Sequence, residues 1–315
     1  MTNSSSGNLD TIQSYYEYYN ASDSYENVQE NTLSDLGWII WLGIIFITCC
    51  IGLMGNGYII WLLGFQIKRN SFTAFILNLA IADFGYLATD FIYYIDQFAD
   101  FQESKILFLF CVFFSHMMYT NSNFLLTAIS VDRCVAVLFP IWHHCSRPKK
   151  LSSSICVLLW FSSFLMSGSM CIMLFTHVFY KLFGLHFLVT SLVCLPLITL
   201  STVVLFIKVC LKPKQKNQGR LLLMILVTLL CFLLLAFPLS VLAMIVSFSS
   251  TKTYNQLKYW VRCGKLFSCL NSSINPVVYF LVGRKKAQAK ESMKVILQKI
   301  FKEGETTGGN KRREK

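Results

Sequence analysis

The stretch "AISVDRCVAVLFPIWHHCSRPKK", residues 128–150, ends an apolar segment with an adjacent acid and base, Asp132 and Arg133. Pro140 follows, and after it comes a run of cations. Because proline cannot continue a helix, we expect a helix to end just before Pro140 and a basic loop to follow it. An apolar helix that ends in charges and a basic loop is typical of a segment leaving a membrane.

The rest of the chain supports a membrane protein. Of its 315 residues, 55% are hydrophobic and only 14% are charged. In a typical soluble domain about a quarter of the residues are charged. A helix needs roughly 20 apolar residues to cross the hydrocarbon core, and only helices or closed barrels satisfy their backbone there. The windows of suitable length are residues 37–65, 72–94, 106–131, 151–175, 182–207, 221–248 and 266–282. We therefore predict an all-α bundle of seven transmembrane helices over residues 37–282.

The loop cations predict the orientation of this bundle. Lys and Arg concentrate in the first, third and fifth loops and after residue 282, and none precedes Trp38. By the positive-inside rule the N-terminus is outside and the C-terminus is in the cytoplasm. The net charge of +12 is thus a topology signal, and cations scattered over loops do not indicate a nucleic-acid partner. We expect a multi-pass protein of the plasma membrane.

The two ends of the chain differ in composition. Residues 1–36 are rich in Ser, Asn, Asp and Glu, so we expect a disordered extracellular tail, with glycosylation sequons at Asn3 and Asn20. Residues 283–315 form the cytoplasmic end. Their first half mixes basic and apolar residues and predicts a short amphipathic helix on the lipid bilayer.

Polar residues inside the windows are functional candidates, because charges are costly in a membrane. Asp83 lies in the middle of the second window. Uncharged polar residues of other windows are expected to join it, and this set is suited to a sodium ion: Asp83, Ser122, Asn271, Ser272 and Asn275. A hydrogen-bond network that only packs the bundle is the alternative interpretation. We expect no other cofactor.

Short motifs in order along the windows resemble the rhodopsin-like G protein-coupled receptors. They are "GN" at Gly55, "LNLAIAD" ending at Asp83, "DRC" at Asp132, Trp160, Pro238 and "NPVVY" from Asn275. Within that family, "DRCVAVLFPIWHHCSRPKKLS", "LLLAFP" and "LNSSINPVVYFLVG" resemble the Mas-related receptors. The resemblance implies a receptor that couples to heterotrimeric G proteins of the Gq and Gi classes, and no enzymatic activity.

The resemblance also implies roles for individual residues. Arg133 rests on Asp132 and is released to meet a Gα subunit, and Ile141 enters a Gα pocket. The residues of G protein coupling are then Asp132, Arg133, Cys134, Ile141 and Tyr279, and those of the activation switch are Ala236, Phe237, Pro238, Asn275, Pro276 and Tyr279. No acid stands at the base of the sixth window, so we expect a weak resting lock and basal signalling. We expect Arg147, Lys149 and Lys150 to contact lipid phosphates more than the G protein.

The resemblance to the Mas-related receptors implies that the ligand is a small peptide or a cationic amphiphile. The corresponding pocket residues are Asp90, Tyr93, Tyr94, Asp96, His116, Tyr119, Thr120, Phe237 and Ser240. If the ligand is cationic, the acids near the second window carry its binding, Asp90 first. The alternative is that Asp90 does not bind a ligand and that its carboxylate is hydrogen-bonded within its own helix.

Three other functions are considered. A non-signalling decoy or scavenger receptor is the main alternative, because "DRC" and Ala236 depart from the commonest pattern of the superfamily. A transporter would show repeats, broken helices and several membrane-embedded charges, and no repeat is visible. An intramembrane enzyme would need a motif such as HExxH or paired carboxylates, and the sequence contains neither.

Overall fold

A computed structural model describes residues 31–67, 70–99, 105–148, 150–174, 179–211, 223–235, 241, 245 and 251–284. The described elements are helices. They are α1 (Asn31–Trp61, continued by the π-helical turn Leu62–Gln66), α2 (Ser71–Ala99), α3 (Lys105–Leu138), a short helix (Pro140–Cys145), α4 (Leu151–Leu174), α5 (Phe179–Leu211), α6 (Leu223–Leu235) and α7 (Thr251–Arg284). This arrangement confirms the predicted all-α fold class.

Local sequence explains where two of these helices stop and start. Asn70 precedes α2 and accepts a hydrogen bond on its side-chain oxygen from the backbone N–H of Thr73, at 2.7 Å. Thr73 Oγ1 in turn accepts from the Asn70 N–H at 2.7 Å, so the two residues cap the helix reciprocally. At the other boundary, α3 ends at Leu138 and Pro140 begins the short helix, as expected for a residue that favours a first helical turn.

The bundle is organised around α3, which packs against α2, α4 and α5, while α1 packs against α2 and α7. Small residues allow α1 and α7 to approach closely. A Cβ added at Gly55 would lie 2.9 Å from Pro276 Cβ, and one added at Gly52 would overlap the Ser273 side chain. Such glycines are typical of helix contacts in membranes, where close backbone approach supplies the packing.

The outer surface of the bundle is apolar. Exposed Ile, Leu, Phe and Trp side chains cover α1 and α4, as expected for helices that face lipid chains. Among the described residues, Leu36–Gln66, Ser71–Phe98 and Leu151–Ile172 are long and apolar enough to span a membrane. Leu192–Lys208 and Leu223–Leu235 are shorter apolar helices.

Five helices, α1, α2, α3, α5 and α7, extend beyond the windows predicted from apolarity. The window for the last helix begins at residue 266, but α7 begins at Thr251. The first window begins at residue 37, but α1 begins at Asn31. Apolarity marks only the part of a helix that can lie in hydrocarbon, so it does not detect polar turns that continue the same helix.

Candidate functional site

Asp132 and Arg133 form a buried ion pair near the end of α3. Arg133 Nε donates to Asp132 Oδ2 at 3.0 Å, and Arg133 Nη2 donates to the same oxygen. The arginine and aspartate side chains are only 7% and 9% exposed. The guanidinium also lies over the ring of Phe72 in α2, with Cζ 4.3 Å from the ring centroid. Arg133 is therefore held on one side by a carboxylate and on another by an aromatic face.

A second arginine, Arg147, shares the Asp132 carboxylate. Arg147 Nη2 lies 2.6 Å from Asp132 Oδ1 and donates to Ser152 Oγ at 2.6 Å. Arg147 also contacts His143, whose Nε2 lies 3.6 Å from Asp132 Oδ1. We call Asp132, Arg133, His143 and Arg147 the Asp132 centre.

The Asp132 centre corrects one expectation and extends another. Arg147 does not reach outward to lipid phosphates, because its side chain is 7% exposed and is bound to Asp132. The resting pair is also more than a single arginine on a single acid, because Arg147, from the segment after Pro140, binds the second oxygen of Asp132. Arg147 binds the acid and not Arg133, so it adds no second hold on Arg133.

The other residues predicted to contact a G protein lie around this end of the bundle. Ile141, in the short helix, is 80% exposed and is free to enter another protein's pocket. Cys134 is partly buried beside Arg133. Tyr279 is buried in α7, and a cavity with room for roughly one water molecule is lined by Tyr279, Ile76, Leu126 and residues of α6.

A polar cluster occupies the middle of the bundle around Asp83, whose side chain is fully buried. Ser122 Oγ and Asn275 Nδ2 each donate to the Asp83 carboxylate at 2.7 Å, and Ser272 also bonds to it. Asn271 and Asn275 each keep a buried side-chain oxygen that lacks a hydrogen-bond partner. We call Asp83, Ser122, Asn271, Ser272 and Asn275 the Asp83 cluster, in which hydrogen bonds from Ser122 and Asn275 to the carboxylate join α2 to α3 and α7.

A third acid, Asp90, forms an ion pair with Lys265 of α7. The lysine Nζ lies 3.1 Å from Asp90 Oδ1 and 3.0 Å from Oδ2. Ser115 Oγ of α3 donates to Asp90 Oδ1 at 2.8 Å, and Nζ also lies 3.4 Å from the Tyr86 hydroxyl. We call Tyr86, Asp90, Ser115 and Lys265 the Asp90 centre. Asp90 is neither an uncompensated charge nor satisfied by its own helix alone.

The remaining predicted pocket residues divide among several contacts. Tyr119 packs near Tyr86, with ring centroids 5.7 Å apart, and so borders the Asp90 centre. Tyr94 faces α1, where its ring meets Trp41 at 5.3 Å, and Tyr93 packs on Tyr94. His116 Nδ1 lies 2.9 Å from Ser167 Oγ, so this ring contacts α4.

Thr120 and Asp96 are the last two predicted pocket residues that the structure describes. Thr120 is 1% exposed within α3. Asp96 is partly buried and stands six residues after Asp90, so it falls on a different face of α2. Ala236, Phe237, Pro238, Ser240, Asn3, Asn20 and the residues after 284 lie outside the described part of the chain. Their assigned roles, and the amphipathic helix expected after residue 282, stay predictions.

Sequence reasoning missed two functional cations, Lys265 and Arg147. Lys265 lies one residue before the last apolar window, so apolarity alone places it outside the membrane, yet it lies well inside α7. A signal was present: Lys265, Ser272 and Tyr279 follow one another at seven-residue intervals, which places the lysine on the polar face of α7. A membrane-embedded Asp90 also calls for a cationic partner. For Arg147 no comparable signal exists, because its position depends on how the loop folds back.

Comparison with known proteins adds independent information. Residues 55–279 match the family model described as "7 transmembrane receptor (rhodopsin family)". The rat Mas-related G-protein coupled receptor member H is 38% identical over 274 residues, which cover 84% of each chain. The human Proto-oncogene Mas is 35% identical over 80% of each chain, and the mouse Mas-related G-protein coupled receptor member B4 is 31% identical over 82% of each.

Proposed function

Because the chain belongs to the Mas-related group of the rhodopsin family of seven-transmembrane receptors, we propose that an extracellular ligand shifts its helix bundle and so activates Gq-class and Gi-class heterotrimeric G proteins. The family itself makes the chain a multi-pass G protein-coupled receptor of the plasma membrane rather than an enzyme. The ligand, the G protein class and the orientation of the bundle belong to the proposal.

The orientation follows from charge. With the N-terminus outside, the Asp132 centre lies at the cytoplasmic face among the basic loops, and the Asp90 centre opens to the exterior. The exposed Ile141 is then on the side where a Gα subunit binds. This orientation gives each ion-pair centre a separate task, ligand sensing outside and coupling inside.

One observation carries the proposed coupling mechanism, the buried pair of Asp132 and Arg133 with Arg147 on the other carboxylate oxygen. While Asp132 holds Arg133, the guanidinium cannot extend to a partner protein. An active state would separate the pair and aim Arg133 at the Gα terminus. A half-buried charge that loses its partner is strongly driven to find another, so release and coupling reinforce each other.

The experiment compares Gα–Gβγ dissociation in living cells for the wild type, Arg133→Ala and Asp132→Asn, without added ligand and at matched surface expression. We expect a basal signal in the wild type, its loss in Arg133→Ala, and an increase in Asp132→Asn, because the arginine is then released. Lys150→Gln, which removes an exposed cation of the same loop, is the control. If all three receptors give the signal of empty vector, the expected basal signalling is wrong, and the chain is either a receptor that is silent at rest or a decoy.

We also propose that the Asp83 cluster binds a sodium ion. A fully buried carboxylate with neutral hydrogen-bond partners is costly, and a small cation would offset that cost. The buried oxygens of Asn271 and Asn275 that lack partners, together with Ser122 and Ser272, supply the hard oxygen ligands that suit it. The test is the unfolding temperature of the purified receptor in NaCl against choline chloride at equal ionic strength. The sodium-dependent increase should vanish in Asp83→Asn; an equal increase in both proteins would reject the site.

A further inference from the structure

We propose that Lys265, positioned by Asp90, binds a carboxylate of the extracellular ligand. The proposal deepens the proposed function, since it rests on the Asp90 centre facing outward. It also reverses the expectation of a cationic ligand held by Asp90. The chemical class we assign is an acid, either the free C-terminal carboxylate of a peptide or a small organic carboxylate.

The two partners of the pair differ sharply in accessibility. The Lys265 side chain is 29% exposed, whereas the Asp90 side chain is 2% exposed. A ligand that approaches this end of the bundle therefore meets the ammonium group first. The carboxylate of Asp90 lies behind it, enclosed by Ser115 and by Cys269, whose Sγ lies 3.6 Å from Oδ2.

The buried groups fix the ammonium in place. Besides both oxygens of Asp90, Nζ has the Tyr86 hydroxyl at 3.4 Å and Ser115 Oγ at 3.5 Å, and it lies 5.0 Å from the centroid of the Tyr86 ring. A lysine on the surface loses side-chain entropy when it binds a ligand. Lys265 has already lost that freedom through these contacts, so an anion can bind to its exposed side at lower entropic cost.

A second cation stands beside Lys265. Arg262 is three residues earlier on α7, at a neighbouring position of the same helix face. Its guanidinium lies over the ring of Trp38, with Cζ 4.8 Å from the centroid. A carboxylate that approaches Lys265 would therefore meet a stretch of α7 that carries two cations.

A cationic ligand would face the opposite situation. To reach Asp90 it would have to displace Lys265 and leave that ammonium without its carboxylate. Removing one partner of a buried pair is costly. A carboxylate breaks no existing pair, because it adds to the exposed side of Lys265. The geometry thus gives Asp90 the role of a positioning residue and Lys265 that of the ligand-contacting residue.

The experiment measures direct binding to the full-length receptor in detergent, by ligand-observed NMR. The probes are N-acetyl-phenylalanine, which carries a carboxylate, and its C-terminal amide, which is neutral. We expect the acid to bind wild type and the amide to bind at least about tenfold more weakly, a loss that corresponds to one interaction of about 1.4 kcal/mol. A third probe, 3-phenylpropionate, keeps the carboxylate but lacks the peptide group, and its affinity relative to the first decides between peptide and small-acid ligands.

Two variants separate the anionic from the cationic interpretation. In Asp90→Asn the lysine keeps its charge and the amide oxygen can still position it, so binding of the acid should persist, whereas a cation held by Asp90 would be lost. The double variant Asp90→Asn/Lys265→Gln removes both charges and leaves no unpaired ion, and it should bind the acid roughly tenfold or more weakly. Lys208→Gln, at the far end of α5, is the control and should bind as wild type.

Three results would overturn the proposal: no binding of the acid at millimolar concentration, equal binding of acid and amide, or unchanged binding of the acid in the double variant. Because the measurement is of binding, it is independent of the basal G protein assay. A receptor that couples but does not prefer the acid would refute this inference alone. One that binds the acid but fails to couple would refute only the proposed signalling.

Discussion

The Asp132 and Asp90 centres are both buried carboxylates held by cations, but they are built differently. The partners of Asp132 come from one continuous segment, residues 132–147, and there are two arginines for the one acid. The ionic partner of Asp90 comes from α7, 175 residues away, and is a single partly exposed lysine. The first centre therefore contains a reserve cation and stays within one region of the chain. The second couples two distant helices through one ion pair.

This difference predicts how each centre responds to losing a cation. At the Asp132 centre, the acid keeps one arginine when the other is removed. At the Asp90 centre, the acid is left buried and charged. The following substitutions would break or sharpen the comparison, in order from the largest expected effect to the smallest.

Lys265→Met should destabilise the receptor most. It leaves the Asp90 carboxylate buried without its cation, which typically costs about 3–5 kcal/mol. We expect a large fall in the unfolding temperature of the detergent-solubilised receptor. Asp90→Asn/Lys265→Met should recover most of it, because the double variant contains no unpaired charge. Equal stability of the single and double variants would show that the pair does not hold α2 to α7.

Gly52→Ala should have the next largest effect on stability. The added methyl group would overlap the Ser273 side chain and Leu87, and overpacking of this kind costs about 1–3 kcal/mol. It would push α1 away from α7, the helix that bears Lys265. Gly43→Ala, in the same helix with open space around the added atom, is the matched control in the same thermal assay. Similar losses in both variants would point to backbone effects instead of contact between α1 and α7.

Arg147→Gln should be tolerated structurally but should lower basal signalling. Arg147 and Arg133 share the Asp132 carboxylate, so removing Arg147 leaves the acid to Arg133 alone and favours the resting pair. We expect basal Gα dissociation to fall roughly fivefold, the factor that corresponds to about 1 kcal/mol. Lys150→Gln should leave the signal unchanged. If Arg147→Gln destabilises the protein as much as Lys265→Met does, the idea of a reserve cation is wrong.

Asn70→Ala should have the smallest effect. It removes the cap of α2, the helix that bears both Asp83 and Asp90, at a typical cost of about 1 kcal/mol. We expect a slightly lower unfolding temperature and unchanged binding of N-acetyl-phenylalanine. Asn70→Ser, which can still cap the helix, should restore the loss. If Asn70→Ser does not recover the unfolding temperature, the loss of stability comes from another contact of Asn70.

How far the sequence predicts these features depends on whether the partners are local. Apolar length predicted the helices, Pro140 predicted the end of α3, and the family resemblance implied the pairing of Asp132 with Arg133. The Asp83 cluster was also predictable, because its residues lie in the middle of apolar windows, where polar groups must find one another. Arg147 was expected to contact lipid because it lies outside the apolar windows, and Lys265 lies one residue before the last window, so apolarity does not identify it as a residue of the bundle. Their actual partners depend on how the loop folds and on how far α7 extends, which apolarity does not encode.

The length of α7 has a consequence for the size of the ligand. The helix has 34 residues, about 51 Å at roughly 1.5 Å per residue, whereas the hydrocarbon core is only about 30 Å thick. Lys265 lies 14 residues after Thr251, about 21 Å along the axis from the start of the helix. An extended peptide covers roughly 3.4 Å per residue, so about six residues would span that distance. A peptide that anchors its terminal carboxylate at Lys265 would therefore lie with about six residues along α7, and longer peptides would project beyond the start of that helix.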